Sequence, residues 1–281
     1  METIAHKLED PATRFAFGEN WRLFLNNLND TRIEQACQSL RDWLQVSDLA
    51  GQSFIDIGSG SGLFSLAARR LGARVHSFDY DSASVACTTE LKRRFFADDP
   101  DWIIERGSAL DGDYLQRLGQ FDIVYSWGVL HHTGHMWPAL ANAGERVRPG
   151  GKLFIAIYND QGNTSRRWRL IKRWYVEGGK LRRAFLLIAM FGVIWGPTFL
   201  RDTLRLAPLR TWHAYGGTRG MTPWRDLVDW VGGYPFEVAR PEEIFDFFKQ
   251  RGFQMECFRT SGGGMGCNEF MLTRQTPAPC S

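Results

Sequence analysis

Phe54-Ile55-Asp56-Ile57-Gly58-Ser59-Gly60-Ser61-Gly62-Leu63-Phe64-Ser65-Leu66-Ala67 runs from a short apolar strand through a glycine loop into an apolar-periodic helix. Strand, glycine turn and helix in immediate succession make the crevice in which open α/β sheets hold nucleotides. Glycines at alternate positions let the chain turn sharply and let a ligand approach backbone N–H groups. The spacing narrows the choice of ligand. Counted from Gly58 and Gly60, a dinucleotide fingerprint G-x-G-x-x-G needs a third glycine at position 63, where Leu63 stands. The pattern present is Asp-x-Gly-x-Gly-x-Gly.

On the carboxyl side, Arg74-Val75-His76-Ser77-Phe78-Asp79 reads as a second strand ending in an acid that can take both ribose hydroxyls. The alternative for Asp79 is an N-cap for a helix starting near Ser82. Phe121 to Trp127 reads as a buried strand, followed by Gly128-Val129-Leu130-His131-His132-Thr133, a helix from about Trp137, the turn Arg148-Pro149-Gly150-Gly151 and a strand over Lys152 to Tyr158. Pro241 to Gly252 has proline at the start of a helix and glycine past its end. Phe253 to Arg259 and Glu269 to Thr273 then read as two strands. Alternating strands and helices predict a parallel α/β sheet with its ligand at the carboxyl ends of the strands.

Asp-x-Gly-x-Gly-x-Gly, "LHHT" and "RPGG", in this order, resemble the class I S-adenosylmethionine-dependent methyltransferases, above all the ubiquinone/menaquinone-biosynthesis type. The resemblance implies an α/β, Rossmann-like seven-stranded sheet with helices on both faces and an antiparallel end. On it the chain divides into an N-terminal helical lid segment (1–50), an S-adenosylmethionine-binding core (51–159), a basic, partly apolar helical insert acting as a cap (160–236), and the C-terminal part of the sheet (237–281). It implies S-adenosyl-L-methionine as cofactor and S-adenosyl-L-homocysteine as product. Asp56, Gly58, Gly60 and Gly62 would hold the methionine portion, Asp79 the ribose, and Tyr80 one face of the adenine. Ser108 and Ala109 would lie beside the adenine amino group, with the backbone or Asp111 replacing an acid that many relatives have where Ser108 stands. Trp127 joins the cofactor set.

A sulfonium methyl is already activated, so the protein's task is to place an acceptor in line and exclude water. A hydroxyl or phenol acceptor must also lose a proton. His131 and His132 follow the strand facing the cofactor, and imidazole suits general-base work near neutrality. His132 is the favoured base, with His131 holding the loop; both could instead be structural. Asp160 and Tyr158 end the next strand, where Asp160 could orient a histidine, bind the acceptor or cap the following helix. Phe17 and Trp21 could close the pocket or simply pack. Tyr234 is assigned to the substrate, while Trp212, Tyr215, Trp224 and Trp230 could line the pocket mouth or form the insert's own core.

Between 160 and 220 twelve Lys and Arg face three Asp and Glu, although the whole chain has 34 against 31. The basic charge is therefore concentrated in the insert. Within it Ala184 to Leu200 is an uncharged run of seventeen residues. Spanning is excluded on the ground that the run is short and contains Gly192, Gly196 and Pro197. Three occupants of the insert remain: packing as a cap or homodimer interface, peripheral membrane contact through 182–201, or an anionic acceptor. The loop after Phe121 to Trp127 has neither the polar-Pro-Pro-aromatic sequence used on adenine nor a cysteine for cytosine, which argues against a nucleic-acid acceptor. Five cysteines without zinc spacing predict no metal site, and with no signal peptide they imply the cytoplasm, at most peripheral to the inner membrane surface. The expected activity is methyl transfer to a small or amphiphilic metabolite, at oxygen. The alternatives are N-, C- or S-methylation, a non-catalytic nucleoside-binding module, and an NAD-linked oxidoreductase.

Overall fold

Neighbouring residues of the central strands part to opposite faces of one seven-stranded sheet in the computed structural model of the protein. The structure describes residues 15, 21, 25, 28–219, 222–264 and 266–276. In chain order the first half comprises α1 (Asp30–Leu44), β1 (Ser53–Ile57), α2 (Leu63–Arg70), β2 (Arg74–Asp79), α3 (Ser82–Phe95), β3 (Trp102–Arg106), α4 (Gly112–Leu118) and β4 (Phe121–Trp127). A 3₁₀ turn (Leu130–His132), α5 (Met136–Glu145) and β5 (Val147–Tyr158) follow. Then come α6 (Asn163–Val176), α7 (Lys180–Leu204), α8 (Arg210–Arg219), α9 (Pro223–Gly232), α10 (Pro241–Lys249), β6 (Phe253–Arg259) and β7 (Cys267–Arg274).

The sheet order is β3-β2-β1-β4-β5-β7-β6. The first five strands are mutually parallel, β7 runs antiparallel to β5, and β6 antiparallel to β7. Order reverses at β1 and β4, so the crevice at their carboxyl ends is the topological switch point where such sheets bind ligands. Period-two alternation builds a core on each face. Ile55, Ile57, Val124, Leu153 and Ile155 face Leu140, Ala143, Ile244 and Phe248 of α5 and α10. Phe54, Ile123, Tyr125 and Phe154 face Leu40, Leu44, Leu66 and Leu91 of α1, α2 and α3.

The chain separates into two compact units. One takes the described residues within 17–161 and 237–281 and contains the whole sheet. The other takes 162–236 with Phe15 and is built from α6 to α9. In this helical unit Trp195 of α7 lies 4.9 Å from the Trp212 ring and 5.2 Å from Tyr215. Phe191 contacts Trp212 and Trp224, and Trp230 packs edge-on to Trp168. Trp212, Tyr215, Trp224 and Trp230 therefore pack within the helical unit itself.

Two elements differ from expectation. β5 begins at Val147, five residues before Lys152, because Val147 pairs with Phe121 before the register shifts around Pro149 and Gly150. The second difference is α7, which continues for 25 residues through Gly192, Gly196 and Pro197. Proline removes the bond to the carbonyl four residues earlier, that of Val193. Val193 and Pro197 are both on the exposed side, where water can satisfy that carbonyl. Contrary to the sequence argument, α7 is long and apolar enough to cross a membrane by length and composition.

Candidate active site

The glycine loop is held by the strand beside it. Gly58 N–H and Ser59 N–H both donate to the Phe78 carbonyl, at 2.9 and 3.1 Å, and Gly60 N–H donates to Asp79 Oδ2 at 2.9 Å. Gly62 N–H donates to Ser59 O at 2.8 Å. These four donors are thus committed inside the protein, and the loop does not present them to an anion as a pyrophosphate cradle would. Gly58 and Gly62 each take φ +80°, where a side chain is strained. A Cβ on Gly58 would run into the Val129 side chain, and one on Gly62 would meet Thr88 Cα at 2.8 Å. The loop therefore turns against α3 and against the segment leading to the histidines.

Asp79 ends β2 with Oδ2 on Gly60 and Oδ1 accepting from Asp81 N–H at 2.9 Å. It is not the cap of α3: Asp81 is, accepting from Ala83 N–H. Burial lifts the Asp79 carboxyl to about 6, against the lowering effect of its backbone donors. Tyr80 follows, with the Arg106 guanidinium 5.7 Å above its ring and Arg106 Nε donating to its carbonyl. Ser108 and Ala109 lie in the turn after β3, which Gly107 N–H ties to the Asp79 carbonyl at 3.1 Å. Asp111 caps α4, its Oδ1 accepting from Tyr114 N–H at 2.9 Å.

Asp56 lies at the base of the loop, at the end of β1. It is 2% exposed, and its Oδ2 accepts a 2.5 Å bond from Ser65 Oγ. Ser77 Oγ donates to Ser65, and Trp102 Nε1 donates to Ser77, which completes a buried relay beneath the loop. Burial, outweighing the Ser65 bond and reinforced by the charge of Asp79, lifts the Asp56 carboxyl to about 7. Asp56 is thus placed to brace the loop from below.

Next along the switch point, the 3₁₀ turn brings the histidines against Tyr158. His131 is fully buried, its ring 4.0 Å from that of Tyr158, and Tyr158 N–H donates to its Nδ1 at 3.4 Å. His132 is half-buried, 4.5 Å from His131 and 5.4 Å from the Tyr158 ring, which it meets edge-on. Asp160 lies two residues beyond, its N–H on the Ala239 carbonyl. It is not the residue capping α6, which is Gly162.

Trp127 is half-exposed at the end of β4 and donates its indole N–H to Glu269 at 2.8 Å. Trp21 reaches the glycine loop: a Cβ on Gly60 would lie 3.1 Å from its indole. Phe17 lies outside the described residues. Tyr234 belongs to the helical unit, where its carbonyl accepts from Phe15 N–H.

Two supporting residues were not anticipated. Both Glu237 carboxylate oxygens accept from Met136 N–H at the start of α5, and Glu237 N–H donates to the His131 carbonyl. Asn268, buried on β7, donates to Asn159 and accepts from Ser261 N–H. Glu237 and Asn268 are about a hundred residues from Met136 and Asn159, so no local spacing announces those bonds. Among the described residues no cluster of His, Cys, Asp and Glu could hold a metal ion.

Comparison with known proteins places this geometry. A family model described as "Methyltransferase domain" matches residues 28–191. A ubiquinone biosynthesis O-methyltransferase of Nitrosococcus oceani is 30% identical over 161 residues, 57% of this chain and 60% of that protein. The ribosomal protein L11 methyltransferase of Methylococcus capsulatus is 33% identical over 116 residues, 41% of this chain and 36% of its own. The match thus spans well under two thirds of the length of these curated relatives. The crystal structure of magnesium protoporphyrin IX methyltransferase from Synechocystis PCC 6803 superposes with a TM-score of 0.54 at 15% identity, covering 92% of this chain and 94% of that one. That likeness is one of fold, and the family model covers more than half of the chain. On the strength of that match and its sheet order, the chain belongs to the class I S-adenosylmethionine-dependent methyltransferases.

Proposed function

We propose that this protein transfers a methyl group from S-adenosylmethionine to an oxygen of a small or amphiphilic metabolite. The observation that carries the oxygen assignment is the asymmetric histidine pair: His131 is buried on the β5 backbone while His132 stands half-buried beside Tyr158. One imidazole is fixed and the other is accessible, as a general base and its support require. The cofactor fits what surrounds it. The loop commits its N–H groups internally, which suits a ligand without a pyrophosphate, and Asp79 stands at the ribose position of the switch point.

When bound, the cofactor supplies an electrophilic methyl on a sulfonium, and the bond to sulfur breaks as the bond to oxygen forms. Asp79 accepts from the ribose hydroxyls, and Tyr80 offers its ring to the adenine beside Ser108 and Ala109. Trp127 and Trp21 exclude water at the loop. Tyr158 positions the acceptor, and His132 takes the hydroxyl proton as the oxygen bonds to the methyl, so that the ether and the thioether leave neutral and the positive charge ends on the imidazolium. Asp160 is assigned to orienting the acceptor. The reaction is proposed to take place in the cytoplasm, the compartment inferred from the cysteine usage of the sequence.

Labelled methyl transfer into a cell extract, separated into aqueous, lipid and macromolecular fractions, tests the reading. Label should enter a hydroxyl-bearing small molecule. His132→Gln should lower kcat by about 10²–10⁴ while S-adenosylhomocysteine affinity is kept. Label in the macromolecular fraction, or an unchanged rate in the variant, would refute it.

A further inference from the structure

Helix α7 is covered by aromatic rings over part of its surface and bare over the rest. Phe191, Trp195 and Phe199 pack among Trp212, Tyr215 and Trp224 of the same unit. Leu181, Phe185 and Ile188 in the first half of α7, and Val193, Leu200 and Leu204 about a third of a turn further round in its second half, are exposed, so the bare apolar surface winds along the helix as a stripe. Leu181 is 90% exposed, Ile188 70% and Leu204 76%, and apolar exposure continues at Leu206. The stripe is about 35 Å long at the α-helical rise. Single exposed leucines are ordinary on soluble proteins, but apolar exposure repeated along the whole length of a helix marks an interaction surface.

Charge selects the occupant. Lys180 and Arg182 flank the amino end of the stripe, and Arg201 and Arg205 the carboxyl end. Asp202, the one carboxylate in α7, is buried and accepts from Thr211 N–H and Oγ1, at 2.8 and 2.9 Å. Arg201, Arg205 and Arg210 line an open cleft of about 400 Å³ at this end, with Asp202 and Thr211 at its wall. A second copy of the chain would bring cations against cations whether the stripes paired parallel or antiparallel. Crossing a bilayer would strip α8 and α9 from the aromatic face.

We propose that α7 lies in the plane of an anionic membrane surface. The bare stripe sits among the acyl chains, and Arg201, Arg205 and Arg210 hold phospholipid phosphates at its carboxyl end. Co-sedimentation of the full-length protein with phosphatidylcholine vesicles, with and without phosphatidylglycerol, tests this. Binding should be roughly tenfold or more tighter on the anionic vesicles and should weaken with added salt. Phe185→Glu with Ile188→Glu should abolish it, and Arg201→Glu with Arg205→Glu should remove the preference for anionic lipid. Both variants should keep the wild-type melting temperature and S-adenosylhomocysteine affinity, which separates lost docking from lost folding. Three outcomes would each overturn the proposal: no binding to either vesicle at low salt, a concentration-dependent dimer that Phe185→Glu dissolves, or resistance to alkaline extraction from membranes, which would mean a spanning helix.

Discussion

At the scale of single residues, the site is built on close approaches that leave no room for substitution. Gly58 combines φ +80° with a Cβ position already occupied by Val129. Gly58→Ala should cost about 1–2 kcal/mol from the left-handed backbone alone, and more from displacing Val129, seen as a lowered melting temperature and lost S-adenosylhomocysteine binding in calorimetry. Wild-type affinity in that variant would mean that the loop does not form the site. Asp79 makes a different kind of contribution. Its ionised carboxylate already orders Gly60 and Asp81, so Asp79→Ala should weaken S-adenosylhomocysteine binding by ~1–3 kcal/mol. Wild-type affinity should itself decline as pH falls through about 6, where Asp79 takes up its proton. Affinity independent of pH between 5 and 8 would remove Asp79 from the ribose. The acid and glycines of this motif are legible because their chemistry is local. The setting of Asp56 is not legible in the same way: its partner Ser65 is nine residues on, and alternation alone does not announce the relay through Ser77 and Trp102.

At the scale of elements, strands were legible where alternation and burial agree. β2 and β4 fall on the residues expected, Arg74–Asp79 and Phe121–Trp127. β5 was read short because Arg148-Pro149-Gly150-Gly151 has turn composition, while pairing of Val147 with Phe121 carries the strand through it. In α7 the misreading has a comparable source. Glycine and proline weaken a helix when their backbone groups go unserved, but the face carrying Pro197 is solvent-exposed and the opposite face is locked by aromatic packing. Glu237 and Asn268 were invisible because each closes a bond to a distant element. The N-terminal segment offers a test of its own. Trp21 lies against the glycine loop and packs onto the core that includes Leu25 and Leu66. Trp21→Ala should therefore lower stability by about 1–2 kcal/mol, less than a fully buried tryptophan would cost. It should also raise the off-rate of S-adenosylhomocysteine in stopped-flow displacement. A stability loss with unchanged off-rate would make Trp21 packing only.

At the scale of the whole molecule, the two units bury ionisable groups of opposite kinds, and their stabilities should respond to pH in opposite senses. The sheet unit holds Asp56 and Asp79, both lifted from 3.8 by burial, to about 7 and about 6. Between these values the folded state keeps protons that the unfolded chain has released, so their stabilising contribution is complete below about 4 and is lost as pH rises through 6 to 7. The helical unit holds Lys172, fully buried among the rings of Trp168, Trp230 and Phe236, at 5.9, 4.4 and 4.8 Å, with its Nζ donating to the Trp230 carbonyl. Burial, opposed by the charge of Asp229, lowers its ammonium from 10.5 to about 7. Between 7 and 10.5 the unfolded chain holds a proton that the folded unit has given up, so this term raises stability as pH climbs through that window. Each shift corresponds to a few kcal/mol at about 1.4 kcal/mol per unit, less what the aromatic faces return to the lysine cation. Thermal unfolding of the ligand-free protein at pH 5, 7 and 9 separates the two terms. Asp56→Asn should raise the melting temperature relative to wild type more at pH 9 than at pH 5, because it removes a buried charge present only at the higher pH. Lys172→Met should do so more at pH 5 than at pH 9, because the buried cation it removes exists only at the lower pH. Differences that run the same way in both variants would show that net charge, and not these two buried sites, governs the pH response.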